Sequence, residues 1–240
     1  MHPLVAVVLS YVSGSIPAAY LAGTWSGVDL RAHGSGNLGA TNVLRILGPR
    51  IGILVFLVDI AKGALPVWLL PPLAAPPGDA RTWIAVACGV GAILGHIRPV
   101  FLGFKKGGKG VATACGVFLA LAPLETLLTL LIFVVVVLSS GYVSLASLTG
   151  AVALPVLLAA GMGARSPAFA VSLVTMAFVF WTHRANIGRL RRGEENRFGS
   201  RAAPAAAAGE AEVEDEAAAD RRVRQRLDER ERRREPRAQP

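Results

Sequence analysis

The sequence predicts an all-α polytopic membrane protein with about seven transmembrane helices, the N-terminus outside and the C-terminus cytoplasmic. Hydrophobic residues make up 53% of the 240 residues and charged residues 17%, below the roughly 25% charged residues of an ordinary soluble domain. Apolar runs recur as far as about residue 183, and many approach the roughly 20 residues that a spanning helix needs. Basic residues collect in the segments between alternate runs, as they do on the cytoplasmic side of membrane proteins.

The net charge of +9 is carried entirely by the apolar part of the chain. Residues 199–240 contain 10 Arg and 10 acidic residues, which cancel, whereas residues 1–198 contain 15 Lys+Arg and 6 Asp+Glu. In a soluble protein such an excess would suggest a nucleic-acid partner. The apolar composition argues against one, and we expect no nucleic acid. Cys88 and Cys115 both lie in apolar runs, which excludes a disulfide scaffold.

The apolar runs divide into candidate spans at prolines and polar segments. The first run is preceded by no Lys or Arg, so it is predicted to be a retained helix rather than a signal peptide. The stretch 110–140 contains 31 residues, and Pro123 is expected to break it into two helices. A single tilted helix there is the alternative, and it would give six spans. The seven predicted spans are 3–24, 51–73, 81–97, 109–122, 124–140, 142–162 and 166–183.

The positions of the basic residues favour seven spans. With the N-terminus outside, the segments 25–50, 98–109 and 184–198 all face the cytoplasm, and together they hold 12 Lys and Arg residues. Six spans would put one of the two later segments outside, against the rule that cytoplasmic loops are the basic ones.

Residues 199–240 form a separate, highly charged region. Its Arg/Glu-rich part has only Val223 and Leu227 as large apolar residues, so it has no core of its own. We predict a disordered cytoplasmic tail after a transmembrane domain of residues 1–198. Opposite charges four residues apart, such as Asp220 and Arg224, favour a solvated helix as the alternative.

The first cytoplasmic segment contains a glycine-rich motif suited to an anion. Three glycines within six residues let backbone N–H groups approach a ligand closely, and Arg45 can bind a phosphate through two N–H groups. A helix starting near Ala40 would direct its N-terminus to the same place. The alternative is a polar turn that uses glycine only for bending. The candidate binding residues are Ser35, Gly36, Asn37, Thr41, Asn42 and Arg45.

The second cytoplasmic segment combines lysines with glycines. Gly103-x-x-x-x-Gly108-Lys109 resembles a nucleotide P-loop, but Gly110 stands where Ser or Thr would bind magnesium, and no buried strand precedes the loop. We therefore reject an NTPase. Glycine N–H groups and lysines at a helix start still form an anion cradle; a loop that only anchors topology would not need the glycines. The candidates are Lys105, Lys106, Gly107, Gly108, Lys109, Gly110 and Thr113.

The third cytoplasmic segment follows the last span. His183 and Asn186 are three residues apart and are expected to share one helix face. A purely structural histidine is the alternative to a catalytic one, and the nearby arginines are equally explained by contacts with lipid headgroups.

Asp59 and Lys62 lie three residues apart within the second span. Charged residues at membrane depth are usually paired or functional. An intramembrane ion pair is the favoured interpretation, and a position at the floor of an active site is the alternative.

Three further patterns are absent from the sequence. No His is followed five residues later by Asp, no Asp-rich cluster suits a metal-dependent phosphatidyltransferase, and no Cys/His spacing suits zinc. We expect neither a metal nor a cofactor.

Taken together, the motifs over residues 4–198 resemble the bacterial acyl-phosphate:glycerol-3-phosphate acyltransferase family (PlsY type). The order of the motifs makes the resemblance specific. They are Ser13-Gly14-Ser15-Ile16-Pro17, Gly34-Ser35-Gly36-Asn37, Ala40-Thr41-Asn42-Val43-Leu44-Arg45, Asp59-x-x-Lys62-Gly63, Gly95-His96, Gly107-Gly108-Lys109-Gly110-Val111-Ala112-Thr113 and His183-x-x-Asn186-Ile187.

The resemblance implies a multi-span enzyme of the bacterial inner membrane. It would transfer a fatty acyl group from acyl phosphate to glycerol 3-phosphate, giving lysophosphatidic acid and inorganic phosphate in phospholipid synthesis. It also implies contact with membrane lipid and with the enzyme that makes acyl phosphate. The family's functional positions fall on Ser35, Arg45, the Gly107–Gly110 loop with Lys109, His183, Asn186 and Glu195.

The chain departs from the family pattern in two places. Lys105-Lys106 contains one lysine more than the usual motif, and Thr182 stands where an Arg commonly precedes the His. The region after Gly199 has no family counterpart.

Two anionic substrates need two phosphate sites side by side. We assign Ser35 and the glycine–lysine loop to acyl phosphate, and Arg45, Lys109, His183 and Asn186 to glycerol 3-phosphate. His183 or the substrate phosphate would accept the hydroxyl proton. The alternatives are a transporter of organic phosphates and an acyltransferase that uses acyl-CoA or acyl carrier protein.

Overall fold

The computed structural model describes residues 1–198, and the predicted tail lies outside the described residues. Within that range the protein is helical and contains no strand. A single 3₁₀ turn, Val100–Leu102, precedes the glycine–lysine loop. The helices are α1 (Pro3–Gly14), α2 (Ala18–Trp25), α3 (Ala40–Leu47), α4 (Pro49–Leu69), α5 (Pro71–Ala74), α6 (Asp79–Ile97), α7 (Val111–Leu121), α8 (Pro123–Ser140), α9 (Val143–Gly161), α10 (Pro167–Thr182) and α11 (Arg184–Arg192).

Proline starts several of these helices, because its fixed φ suits the first helical position and its missing N–H is not needed there. The predicted break at Pro123 is confirmed, since α7 ends at Leu121 and α8 begins at Pro123. With 11 residues, α7 is about 16 Å long, roughly half the thickness of a bilayer's hydrocarbon core.

Five apolar segments in the described residues are long enough to span a membrane, and a sixth is formed if α10 and α11, bent by 57°, are taken together. This confirms an all-helical membrane protein. The count of seven spans and the orientation stay predictions. The five segments are Pro3–Trp25, Pro49–Ala74, Asp79–Leu102, Pro123–Ser140 and Val143–Gly161.

Small residues let the central helices pack closely. A Cβ on Gly116 of α7 would lie 2.0 Å from the Ile60 carbonyl oxygen of α4, and one on Gly95 of α6 would lie 2.2 Å from the Tyr11 carbonyl oxygen of α1. Membrane helices generally associate through such small residues, because apolar side chains gain little by leaving lipid. These contacts join α7 to the middle of α4, and the last turn of α6 to α1.

The predicted ion pair of α4 is formed. Lys62 Nζ lies 2.7 Å from Asp59 Oδ1, and both side chains are buried. Lys62 also donates to the carbonyl oxygen of Ile16 at 2.7 Å, and His96 Nδ1 lies 3.5 Å from the same Asp59 oxygen. The pair therefore ties α4 to α6 and to the end of α1.

Candidate active site

A cleft of about 850 Å³, open on one side, lies where the three predicted cytoplasmic segments meet. Ten of the sixteen candidate residues line it. They are Ser35, Asn37, Thr41, Asn42, Arg45, Lys109, Gly110, His183, Asn186 and Glu195.

The other six candidates do not line this cleft. Gly36, Lys105 and Lys106 are exposed elsewhere on the surface. Thr113 is fully buried, and its hydroxyl lies 3.1 Å from His96 Nδ1. Gly107 and Gly108 lie behind the cleft, against a smaller cavity that also contacts His96.

The buried glycines of the second segment serve packing. Gly107 N–H donates to the Ile97 carbonyl oxygen at 2.9 Å. A Cβ on Gly108 would lie 2.1 Å from His96 Nε2 and 2.7 Å from the Leu38 carbonyl oxygen. These glycines therefore let the loop approach α6 and the first segment, which sets the position of the adjacent Lys109.

The buried side chain of Asn42 holds the first segment together through three hydrogen bonds. Its Oδ1 accepts from Ser35 N–H at 3.0 Å, and its Nδ2 donates to the carbonyl oxygens of Leu30 and His33 at 3.1 Å each. The side chain is 1% exposed. Although Asn42 borders the cleft, its two N–H groups and its oxygen are used to hold the loop that carries Ser35.

Two helix N-termini open into the cleft. Helix α3 follows Gly39 and helix α7 follows Gly110, and neither has a side chain that caps its first N–H groups. The first residues of both helices line the cleft. Unpaired N–H groups at a helix start, together with the helix dipole, favour an anion. The cleft therefore contains two separate helix N-termini, each of which favours an anion.

Arg45 and Thr41 are four residues apart on α3 and lie on the same helix face, towards the cleft. Asn37, from the preceding loop, has a buried side-chain oxygen without a hydrogen-bond partner among residues 1–198. Buried polar atoms are rarely left without a partner. Since Asn37 lines the cleft, this oxygen can accept a hydrogen bond from a ligand.

A chain of polar contacts joins the second and third segments. Lys109 Nζ donates to Asn186 Oδ1. Asn186 Nδ2 donates to Glu195 Oε1 at 2.6 Å, and Arg189 Nε donates to Glu195 Oε2 at 2.7 Å. The Glu195 carboxylate thus accepts from both Arg189 and Asn186, and the Asn186 amide lies between Glu195 and Lys109.

The burial of these groups changes their proton affinity. Burial lowers the pKa of Lys109 to about 8, with Arg189 and Lys106 adding to the effect and Glu195 opposing it. Burial by itself would raise the pKa of Glu195, but hydrogen bonds from Asn186 and Arg189 hold that pKa below its usual value. Glu195 is therefore ionised at neutral pH.

His183 lies at the junction of α10 and α11, and its side chain is 3% exposed. Its Nδ1 lies 2.8 Å from the Val179 carbonyl oxygen. A carbonyl can only accept, so Nδ1 carries the ring proton in this contact and Nε2 keeps a lone pair. His183 and Asn186 both line the cleft, as their spacing predicted.

Several cleft residues were missed as candidates. Arg189 stands three residues after Asn186, and that spacing already put it on the same helix face. Ser144 and Ser147 of α9 stand three apart in an apolar run, which is a weaker signal of the same kind. Asp59 borders the cleft together with His96, in line with the alternative position at the floor of an active site. Among residues 1–198 no cluster of three or more His, Cys, Asp or Glu side chains could hold a metal.

Comparison with known proteins agrees with the motif resemblance. The family model for glycerol-3-phosphate acyltransferase matches residues 4–193. The glycerol-3-phosphate acyltransferase of Geobacter sulfurreducens is 46% identical over 198 residues, which are 82% of this chain and 98% of the relative. That of Geobacter metallireducens is 51% identical over 189 residues, 79% of this chain and 94% of the relative.

Two solved structures are also similar. Both are crystal structures of PlsY (YgiH), an integral membrane glycerol 3-phosphate acyltransferase. The glycerol 3-phosphate form has a TM-score of 0.74 and 40% identity, and the lysophosphatidic acid form has a TM-score of 0.72 and 39% identity. Each match covers 82% of this chain and 96% of the solved chain. The chain therefore belongs to the glycerol-3-phosphate acyltransferase family.

Proposed function

We propose that this acyltransferase uses acyl phosphate as its donor. It transfers the acyl group to glycerol 3-phosphate and releases 1-acyl-glycerol 3-phosphate and inorganic phosphate, in the inner membrane of a bacterium with the cleft facing the cytoplasm. The observation that carries this proposal is the pair of uncapped helix N-termini, α3 and α7, that open into one cleft. Two small phosphate-bearing substrates need two such places.

The charges at the cleft support two anionic substrates. Arg45, Lys109 and Arg189 line it together with two carboxylates, one of which is Glu195. The other carboxylate at its edge, Asp59, is already paired with Lys62 at 2.7 Å. The cleft thus has an excess of positive charge, which attracts phosphate groups.

We assign one phosphate to each helix N-terminus. Ser35 and the start of α3 hold the acyl phosphate, while Lys109, Asn186 and the start of α7 hold glycerol 3-phosphate. Glycerol 3-phosphate is placed beside Asn186 because His183, three residues earlier, must reach the glycerol hydroxyl. Arg45 stays with glycerol 3-phosphate. Four candidates make no direct contact with either substrate in this assignment, because they do not line the cleft: Lys105, Lys106, Gly107 and Gly108.

The reaction needs alignment and stabilisation of charge. The glycerol oxygen attacks the acyl carbonyl carbon, the bond from that carbon to the phosphate oxygen breaks, and phosphate leaves. The hydroxyl proton passes to His183 Nε2 and then to the departing phosphate. Hydrogen-bond donors aimed at the developing oxyanion typically contribute about 10²–10³ each to turnover. The α3 N-terminus supplies backbone donors of this kind.

The donor is tested with purified protein, glycerol 3-phosphate and one acyl donor at a time: acyl phosphate, acyl-CoA or acyl carrier protein. We expect lysophosphatidate and an equal amount of inorganic phosphate from acyl phosphate. Product from the thioester donors alone would overturn the proposed donor. The Lys109→Ala variant serves as the inactive control.

The role of His183 is tested with His183→Gln, which keeps a side-chain hydrogen-bond acceptor but cannot take the proton. We expect kcat to fall by about 10²–10⁴. Turnover within about tenfold of the wild type would show that His183 only positions the substrate. The substrate phosphate would then accept the proton.

The orientation is tested with a cysteine at an exposed position of α11, Arg191→Cys. A membrane-impermeant thiol reagent should label it in inverted membrane vesicles and not in intact cells. Labelling of intact cells would place this segment outside. Cys88 and Cys115 are buried and half-buried, and the parent protein measures any background labelling.

A further inference from the structure

Glu195 lies beyond the last helix, on the short segment 193–198 that follows α11. The other members of its polar chain are held by helices, since Asn186 and Arg189 belong to α11 and Lys109 directly precedes α7 and its cap. A helix fixes its residues through its own hydrogen bonds, whereas a segment without helical structure needs contacts with other parts of the fold. The position of Glu195 therefore depends on what holds this segment at its two ends.

The first end of the segment is fixed by the turn that ends α11. Gly193 has φ +72°, a left-handed conformation that glycine adopts without strain and that commonly ends helices. Glu194 N–H then donates to the Arg189 carbonyl oxygen at 2.9 Å. After this turn Glu195 accepts hydrogen bonds from two residues of α11, Asn186 and Arg189.

The second end is held by the turn between α8 and α9. Phe198 N–H donates to the Gly141 carbonyl oxygen at 2.6 Å. The Arg197 guanidinium lies over the Tyr142 ring, 5.5 Å from its centroid, and Arg197 Nε donates to Tyr142 Oη at 3.4 Å. A cation is attracted to the face of an aromatic ring. These contacts connect the end of the segment to residues that are about 55 positions earlier in the chain.

The segment borders the cleft between these two ends. Asn196 lines the cleft, and so do Val143 and Ser144, the first residues of α9. Only Asn196 separates Glu195 from Arg197, so the two are at most about 7 Å apart along the chain. A displacement of the second end would therefore carry Glu195 away from Asn186.

We infer that Tyr142 is a positioning residue of the acyltransferase, which holds Arg197 and thereby keeps Glu195 against Asn186. Tyr142 itself does not line the cleft, so it acts through the segment and not on the substrate. The inference rests on the assignment of glycerol 3-phosphate to Lys109 and Asn186 proposed above. Loss of the contact between Tyr142 and Arg197 lets the carboxylate move, and the amide then holds Lys109 less well.

The inference is tested with Tyr142→Ala, made both in the parent protein and in the Glu195→Ala variant. In the parent we expect KM for glycerol 3-phosphate to rise by about three- to tenfold and KM for acyl phosphate to stay within about twofold. In Glu195→Ala the same substitution should change neither KM by more than about twofold, because the residue through which Tyr142 acts is already gone. Tyr142→Phe, which keeps the ring, should restore most of the loss.

The control is Arg192→Ala, which removes a contact from the same segment without releasing its second end. Arg192 Nε lies 2.7 Å from Glu194 Oε2, and both side chains are more than half exposed, so this ion pair contributes little. The variant should keep both KM values within about twofold of the parent.

The backbone contact is tested separately. Phe198→Pro removes the N–H that donates to Gly141, whereas Phe198→Ala keeps it. We expect the proline variant to raise KM for glycerol 3-phosphate by about threefold or more and the alanine variant to resemble the parent. Equal KM values in the two variants would contradict the role of this hydrogen bond in holding the segment.

The outcomes separate the inference from the proposed function. An equal loss from Tyr142→Ala in both backgrounds, or no change in either KM, would overturn the inference. A rise in KM for acyl phosphate alone, seen only when Glu195 is present, would support the role of Tyr142 and overturn the assignment of the two substrates.

A second measurement is the pH profile of kcat/KM for glycerol 3-phosphate. Glu195 opposes the lowering of the pKa of Lys109 by burial, so a displaced Glu195 lets that pKa fall below about 8. In Tyr142→Ala the loss of activity at high pH should therefore begin at a lower pH. A purely structural role would lower the unfolding temperature without moving the profile, and a raised KM with an unmoved profile would contradict the displacement of Glu195. The charged or titratable groups that act on Lys109 are Glu195, Arg189, Lys106 and His183.

Discussion

Asn186 Nδ2 donates a hydrogen bond to Glu195 Oε1 at 2.6 Å, which turns the amide oxygen of Asn186 towards the ammonium group of Lys109. Glu195 and Lys109 therefore fix the amide together, since the carboxylate only accepts and the ammonium only donates. Without that acceptor, the amide N–H groups lose their partner and Lys109 alone holds the side chain. The contact connects three residues from two distant segments of the chain.

Removal of the whole Glu195 carboxylate should weaken catalysis more than removal of its negative charge alone. Glu195→Ala is expected to lower kcat/KM for glycerol 3-phosphate by about tenfold or more, since a hydrogen bond to a charged group contributes about 1.5–3 kcal/mol. Glu195→Gln keeps an oxygen for Asn186 and should lose less. Steady-state kinetics of both variants, with thermal unfolding as the control for folding, check this. Equal losses would mean that the charge matters and the orientation of Asn186 does not.

Activity should fall as the pH rises through about 8, because the buried Lys109 has a pKa of about 8 and its neutral form binds phosphate poorly. The second ionisation of a phosphate ester is complete well below this pH, at a pKa of about 6, so the substrate's charge does not change in the range. The measurement is the pH profile of kcat/KM for glycerol 3-phosphate. In Lys109→Arg the guanidinium stays protonated, and the fall should disappear even if the absolute rate is lower.

The loop before Lys109 should not tolerate a side chain at Gly108. In Gly108→Ala the Cβ would lie 2.1 Å from His96 Nε2, so the loop must shift and carry Lys109 with it. We expect a higher KM for glycerol 3-phosphate and a lower unfolding temperature. The control is Gly188→Ala in α11, where the Cβ would meet only the end of the Arg192 side chain at 3.4 Å. That variant should be as stable as the parent, or more stable by up to about 1 kcal/mol.

The Asp59–Lys62 pair should be more costly to break than to replace. Removal of one partner from a buried ion pair destabilises proteins by about 3–5 kcal/mol, whereas replacement of both by apolar residues is often neutral. We expect Asp59→Asn to unfold at a clearly lower temperature than the double variant Asp59→Leu/Lys62→Met. Recovery of both stability and activity in the double variant supports a structural pair. Recovery of stability alone would mean that Asp59, which borders the cleft, acts on the substrate.

Much of the site could be predicted because its parts are local in sequence. The spacing of His183 and Asn186 predicts a shared helix face, and both residues line the cleft. The positions of Arg45, Lys109 and the arginines after His183 predict that three segments face the same side of the membrane, and residues of all three line one cleft. The break at Pro123 follows from the lost hydrogen bond of a proline.

Other candidates lie away from the cleft, and their positions depend on what packs against them across the fold. Gly107 and Gly108 look like ligand contacts, but they pack against His96 and the Ile97 carbonyl oxygen. Thr113 is turned away from the cleft to the same histidine. A glycine that approaches a ligand and one that approaches another helix have the same sequence signal.

The sequence by itself predicted the long apolar segments, the break at Pro123, the family and the cationic segments, because apolar run length, proline and charge act over short stretches of chain. The division of the predicted spans 3–24 and 51–73 into two helices each was not predicted. Only the tertiary structure decided which polar side chains reach the cleft, how Glu195 and Lys109 hold Asn186 between them, and how the segment 193–198 contacts the turn between α8 and α9. These features arise from contacts between residues that are far apart in sequence, such as the 77 positions between Lys109 and Asn186. Such contacts depend on how the helices pack, which the order of residues along one segment does not reveal.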